Sequence, residues 1–427
     1  MLFAMLAAFC VTSWAASEKV LYRFHGKDGW SPNTVILGSD GALYGTTAVG
    51  GANSCLGQGC GVVFKLARGA DGKWRETVLH NFAGSDGQGP VGPLVFDNGG
   101  NLYGATVYGG PSCSQLGCGV VFELVRGDGN KWTFKVLHDF AVTDGANPYA
   151  GLIFDSKGNL YGTTSYGGNT NACTGGCGVV FELAPDGKGN WAETVLHEFA
   201  GEDGVGPVAP LLFDSAGSLY GTTQYGGDHA SGTVFRLSPG KGDHWTEEVL
   251  HSFGFETNDG DEPTYGVIFG RSGNLYGTTL FGGTKNDPGG GTAFRLMPEA
   301  GGKWKEKILH SFNRARFGGG PVSSGLLMDK HGSLYGTTGE GGRLTCPGTG
   351  GAGCGVVFRL APAANGKWTE TVLHAFGGGD DGDGPGGGLV FSSSGDIFGV
   401  TGAGGYAGGV CAGEYFPGCG VVFEVVP

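Results

Sequence analysis

The sequence predicts an all-β chain, a seven-bladed β-propeller of four-stranded antiparallel blades closed into a ring by its N-terminal strand. Three observations carry that expectation. An aromatic-glycine-threonine phrase returns with its anchor at Tyr44, Tyr103, Tyr161, Tyr220, Tyr276, Tyr335 and Phe398, at spacings of 59, 58, 59, 56, 59 and 63 residues. Each unit holds four short pieces rich in β-branched and aromatic residues and bounded by Gly, Asp, Asn or Pro, which is how strands read. No segment sustains a 3.6-residue apolar period, so helices should be few. One four-stranded unit cannot cover both its faces, and stacking seven of them supplies the core.

Residues 1–15 read as a secretory signal. An apolar run from Leu2 to Val11 is followed by Ser13-Trp14-Ala15, which sets small residues for cleavage after Ala15, although no basic residue precedes the run. The run is shorter than the ~20 residues of a membrane span, and no other stretch is apolar enough for one. Phe9 before Cys10 is too large for a lipid-attachment motif.

Residues 16–427 read as one propeller. "EKVLYRF", Glu18 to Phe24, matches the fourth strand of a unit but comes before any other strand. The chain ends on a third strand, "GVVFEVVP". The N-terminal strand, 18–24, is therefore expected to complete the last blade, which also removes an exposed sheet edge. In the third unit the four strands are "GLIFD", "NLYGTT", "GVVFEL" and "WAETVLHEF", with the turns "DSKGN" and "APDGKGN" closing the first and second hairpins. Trp74, Trp132, Trp191, Trp245, Trp304 and Trp368 each open a fourth strand, a regularity that points to packing between blades.

Ten cysteines pair within units: Cys55 with Cys60, Cys113 with Cys118, Cys173 with Cys177, Cys346 with Cys354, and Cys411 with Cys419. Each pair lies between the second and third strands, and the fourth and fifth units lack both members. Joint gain and loss suits local disulfides in an exported chain. Zinc is the weaker alternative, because no histidine recurs beside the pairs. His80, His138, His197, His251, His310 and His374 share one slot, the "LH" of the fourth strand. Six copies around a ring read as structural hydrogen bonding. The recurring "DGxxP" that Asp28, Asp86, Asp144, Asp203, Asp259 and Asp381 lead reads as turn chemistry. No cofactor is expected, with calcium at "NDGDEP" (258–263) or "DDGDGP" (380–385) kept as an alternative whose spacing matches no calcium loop.

Gly and Pro make up about a quarter of the 427 residues, yet 11% aromatic content argues against disorder. A net charge of −13 disfavours nucleic acid as a partner, since binding phosphates takes clustered cations. There is no "GxSxG", "HExxH", "GxxxxGK[ST]" or "CxxCH" motif, so no catalytic residue is assigned.

The units, of the form LxFDxxGNLYGTTxxGG then GxVFxL, W and VLHxF, resemble the GloVer tandem repeats of bacterial choice-of-anchor surface and secreted proteins. The resemblance spans nearly all of the chain after the signal. It implies an extracytoplasmic, propeller-like array of no settled activity, often with a C-terminal anchoring module. This chain stops at Pro427 after its last strand, so that module is not expected.

Candidate binding residues are sought where the repeat breaks, on the face that carries the longer loops. The aromatic before the Gly-Gly pair occurs in four consecutive units, as Tyr108, Tyr166, Tyr225 and Phe281, and is Val49, Glu340 and Ala403 elsewhere. The sixth "DGxxP" is replaced by "NRARFGGGP", which supplies Arg314 and Arg316, with Arg343 and Lys285 in neighbouring loops. Together these predict a secreted, extracellular or periplasmic binding or scaffold propeller for a glycan or an extracellular protein. A polysaccharide hydrolase or lyase using the same face is the alternative.

Overall fold

Short, glycine-bounded apolar runs leave each four-stranded unit with two faces to bury, and the computed structural model shows where those faces go. It describes residues 16–113, 117–242, 244–254, 259–283, 290–313, 324–342, 346, 352–405, 408, 411 and 417–427. The proposed signal, residues 1–15, lies outside them. Seven four-stranded antiparallel sheets form the blades of a ring. Blade 3 runs Ile153–Phe154, Leu160–Thr164, Val179–Pro185 and Trp191–Glu198, each strand paired with the next. Helical structure is limited to short 3-10 turns such as Asp128–Asn130, Arg271–Gly273 and Ala300–Gly302 among the described residues.

The N-terminal strand closes the ring as expected. Ser17–Arg23 pairs antiparallel with Val421–Val426, outside Ile397–Ala403 and Asp383–Phe391, to make blade 7. The innermost strands are shorter than the sequence suggests, only two residues long in blades 2 to 6. In blades 1 and 7 the inner strand is longer and runs through the proline of "DGxxP", Pro32 or Pro385. The ring of that proline meets the neighbouring blade: a Cβ placed on Gly178 of blade 3 would lie 2.7 Å from Pro207 Cδ of the next unit. The same contact joins Gly420 of blade 7 to Pro32 of blade 1.

The recurring phrase is explained by what each of its residues touches. Its tyrosine reaches the next blade, Tyr161 lying 5.0 Å from Phe213 and 6.4 Å from Trp245, ring to ring. Its glycine leaves room for a phenylalanine on the neighbouring strand, for a Cβ on Gly162 would stand 2.6 Å from Phe181 Cζ. Its second threonine folds the strand end. Thr164 Oγ1 donates to Tyr166 O at 2.8 Å, and the bond recurs in all seven units from Thr47 to Thr401. Between blades, the last aromatic of each fourth strand packs edge-on or tilted against the third strand of the next blade. Phe140 meets Phe181 at 5.1 Å, and Phe24 closes on Phe64 at the same distance.

The five cysteine pairs are joined as disulfides within their units, with Cα separations of 5.0 to 5.5 Å. Each closes a loop of only four to eight residues of sequence separation, so it stiffens the loop and leaves the ring to its core.

Reduction of the purified protein should raise its intact mass by two hydrogens per pair, and peptide maps should place every link within one unit. A link between units would contradict the pairing. Deleting residues 17–24 removes the edge strand of blade 7 together with Phe24, which is fully buried. Truncating a buried phenylalanine alone costs about 3–5 kcal/mol, so the shortened protein should aggregate or melt far below the full chain. A monomer with an unchanged melting temperature would show that closure is dispensable.

Candidate functional site

In an antiparallel blade the links between second and third strands, and between fourth and first, emerge on one face. That face holds the disulfide loops and the "DGxxP" segments. The aspartate of each segment is spent on structure. Asp86 accepts the Ala83 N–H at 2.7 Å and sits 3.0 Å from His80 Nε2; Asp203 does the same with Ala200 at 2.8 Å and His197 at 2.9 Å. In blade 7 Tyr22 replaces the histidine and donates to Asp28 at 2.6 Å. The recurring histidines are thus structural partners, as their regularity suggests.

The residue two after each aspartate pairs with the variable aromatic position. Gln88 bridges Tyr108, Ala146 bridges Tyr166, Val205 bridges Tyr225, and Asp261 pairs with Phe281. The threonine bond fixes the carbonyl of the same residues, so their backbones are held twice. Tyr166 and Tyr225 are the exposed rings of the series, at 52% and 44%. The Tyr108 hydroxyl lies 3.4 Å from that of Tyr149, and Tyr166 acts electrostatically on both Tyr149 and Tyr225. Gln224 donates to the Tyr225 hydroxyl at 2.9 Å and to Glu262 at 3.0 Å. Burial and then the Glu262 carboxylate raise the Tyr225 pKa, which keeps the phenol neutral and able to donate. These groups form one arc over blades 2 to 5, suited to stacking and hydrogen bonding with a polyhydroxylated ligand.

A second set of ionisable groups lies in the seams, behind this face. Glu76, Glu193, Glu247, Glu306, Glu370 and Glu18 share one slot of the fourth strand and face the histidine or aspartate of the preceding blade. One oxygen of each is buried without a hydrogen-bond partner. Burial, helped by Asp28 and by Asp259 respectively, pushes Glu76 and Glu306 up to about 8. Burial likewise pushes Glu193 and Glu247 up to about 7. In blade 2 the slot holds Phe134, which stacks flat on His80 at 3.9 Å. His251, Asp259 and Glu306 bring three donor atoms within 4.8 Å of one another. His310, whose seam carries "NRARFGGGP" in place of the "DGxxP" aspartate, meets Glu370 at 3.3 Å instead.

The sequence matches the Gloeobacter/Verrucomicrobia repeat over residues 7–124 and 113–349. The chain belongs to this repeat family. No curated protein matches it in sequence. Among solved structures it is similar to a Thermus thermophilus protein described as a putative oxidoreductase (glucose dehydrogenase). The two are 14% identical with a TM-score of 0.43, over 96% of this chain and 100% of that one. A protein of unknown function from Dyadobacter fermentans is 13% identical with a TM-score of 0.45, over 96% and 98%. At that level neither says what this member of the repeat family binds.

The sequence-based candidates divide cleanly. Tyr108, Tyr166, Tyr225 and Phe281 fall at one level of consecutive blades. Arg314, Arg316, Arg343 and Lys285 lie outside the described residues. Of the acidic residues of the two calcium candidates, Asp259 accepts the Gly254 N–H at 3.0 Å, Gln224 donates to Glu262, and Asp381 accepts the Gly377 N–H at 3.0 Å. Asn258 is outside the described residues. Sequence reading missed Tyr149, Gln224, Glu262 and Trp30, the last pairing across from Val49 where other blades carry the aromatic on the opposite strand. It also missed the seam glutamates. Their signal was present, because Glu76, Glu193, Glu247, Glu306 and Glu370 each stand two residues after the tryptophan that opens the fourth strand.

The seam glutamates make stability depend on pH. Folding favours their protonated form, so their contribution is complete below the ordinary 4.5 and is lost as pH rises through about 7 to 8. Asp86, Asp203 and Asp381 act oppositely. Burial alone would raise them, but hydrogen bonds from histidine and backbone hold them below 3.8, so their contribution is lost as pH falls through that lowered value. From these groups, melting temperature should therefore peak near about pH 4 and fall by several degrees between about pH 4.5 and 8. Glu76→Gln with Glu306→Gln should flatten the alkaline side of the profile. An unchanged alkaline slope in that double variant would show that the seams are not its source.

Proposed function

We propose that this chain is an extracytoplasmic binding module whose loop-rich face holds a glycan on the tyrosine arc. The observation that carries the reading is the pair Tyr166 and Tyr225. They occupy equivalent positions in consecutive blades, are held by the same backbone and threonine bonds, and expose about half of each ring. A side chain required for packing would be buried like its repeat-mates, whereas exposed aromatic rings at fixed spacing offer stacking surfaces for sugar faces. Tyr108 and Phe281 extend the series on either side. Arg314, Arg316 and Arg343, next in sequence around the ring, supply guanidinium groups that pair bidentately with carboxylates, so an acidic glycan is the ligand of choice. Five disulfides within exposed loops support an oxidising, extracytoplasmic setting, with residues 1–15 as the export signal. Among the described residues no helix is long and apolar enough to cross a membrane.

Titration calorimetry with acidic oligosaccharides such as oligogalacturonides, beside neutral oligosaccharides of equal length, tests the reading. Tyr166→Ala with Tyr225→Ala should weaken binding at least tenfold, each hot-spot ring contributing above about 1 kcal/mol. Arg314→Ser, Arg316→Ser and Arg343→Ser together should abolish the preference for acidic chains and its sensitivity to salt. Melting temperatures should change little. Binding that ignores both sets of variants would remove this face as the site.

A further inference from the structure

The ring encloses a central channel with a cavity of about 600 Å³, within the range of small-molecule sites. Its wall is built from the residues that lead into the inner strands of the blades, Val91, Pro93, Val208 and Pro210 among them. Among the described residues no charged side chain lines it. Blade 7 contributes Gly384, Gly386, Gly387 and Gly388, which leaves that side of the channel without side chains. The described wall offers an ion no counter-charge, which favours neutral ligands.

Two residues break the repeat inside this wall. Tyr149 follows the "DGxxP" proline directly, where the other described units have Asn33, Val91, Val208, Thr264 and Gly386. Tyr265 stands one place further on, where the others have Thr34, Gly92, Ala150, Ala209 and Gly387. A residue needed to pack the ring would recur in every blade, as the seam phenylalanines do. Tyr149 is accounted for by its contact with Tyr108 at the channel mouth. Tyr265 is not. Its backbone carbonyl accepts from Thr222 at 3.2 Å, but its hydroxyl has no hydrogen-bond partner among the described residues. Burial alone raises its pKa to about 12, which keeps the phenol a neutral donor. Tyr265 lines the cavity, so its hydroxyl is a donor available to a ligand there.

We propose that the channel is a second binding site, for a small neutral molecule that is largely apolar, aromatic in part, and carries one hydrogen-bond acceptor for the Tyr265 hydroxyl. The prolines and valines present flat apolar surface to such a ligand, and Tyr149 offers a ring to stack on. This site is separate from the exposed arc above it. It takes a molecule into the lumen, where the arc would take a chain across the surface.

The probe that matches this chemistry is Prodan, a neutral naphthalene with a ketone acceptor whose emission shifts to the blue on leaving water. The anionic dye 1-anilinonaphthalene-8-sulfonate, similar in size, is its charged counterpart. The full chain should bind one equivalent of Prodan with a blue shift, and should bind the sulfonate at least tenfold more weakly. Tyr265→Phe removes only the donor and should raise the Prodan Kd roughly two- to tenfold, the range of one net hydrogen bond. Val208→Phe fills the lumen and should abolish binding. Should that variant fail to fold, Gly325→Leu obstructs the same lumen from a position where an added Cβ meets nothing within 4 Å. Tyr166→Ala and Tyr225→Ala should leave Prodan binding unchanged, which separates the channel from the arc. The proposal is overturned if Prodan shows no saturable shift, if the obstructed channel still binds it, if Tyr265→Phe binds as tightly as the native chain, or if the sulfonate binds as well as Prodan.

Discussion

Everything in this ring depends on a pair of aromatic rings at each seam. The phenylalanine that ends one blade's fourth strand lies against the phenylalanine of the next blade's third strand, at 4.8 to 5.3 Å, in all seven seams including the closing one. Such pairs add about 0.5–1.5 kcal/mol to the burial of the rings themselves. Their geometry is permitted by the glycine of the anchor phrase, which makes room for the second ring. It is bounded by the anchor tyrosine, which reaches the inner strand of the following blade. The repeat is kept regular within the chain because each copy must fit two neighbours at once.

That constraint also separates frame from face. Seam residues are packed between two blades, whereas the ends of the second strands lie on the loop-rich face, where Tyr166 and Tyr225 are exposed. Val49, Tyr108, Tyr166, Tyr225, Phe281, Glu340 and Ala403 occupy one position with five different residue types. The backbone there is still fixed by the threonine bond and by the bridge to the "DGxxP" segment. A rigid main chain carrying free side chains is the condition under which exposed rings serve recognition, since little entropy is lost on binding. The channel wall follows the same rule, with Tyr149 and Tyr265 standing where other described blades carry smaller, non-aromatic residues.

The polar part of the seams obeys a different balance. Each glutamate of the fourth strand is drawn inward by strand alternation and meets an aspartate or histidine already committed to a turn. Where Phe134 replaces it, the ring stacks on His80 and no carboxylate is buried. The ring therefore tolerates either an apolar or a protonated side chain in this slot. An ionised one is the unfavourable state, because neither water nor a cationic partner reaches the buried oxygen.

Strand count, blade number, closure by the first strand and the cysteine pairing were legible in the sequence. They follow from local chemistry repeated seven times: turn residues, alternation, and a fourth-strand copy displaced to the N-terminus. The arc was half legible. Its tyrosines stand out as departures from a regular pattern, but Trp30 was hidden because its ring enters from the opposite strand, which only the pairing with Val49 makes visible. Tyr149 and Tyr265 were hidden for a related reason. They sit in segments that read as turns, and only the ring brings those segments together around a lumen. The sequence by itself determined the blades, because a blade is held by neighbours close along the chain. The tertiary structure decided the channel, the seam glutamates and the shared level of the arc, because each is made of residues from different blades that meet only when the ring closes.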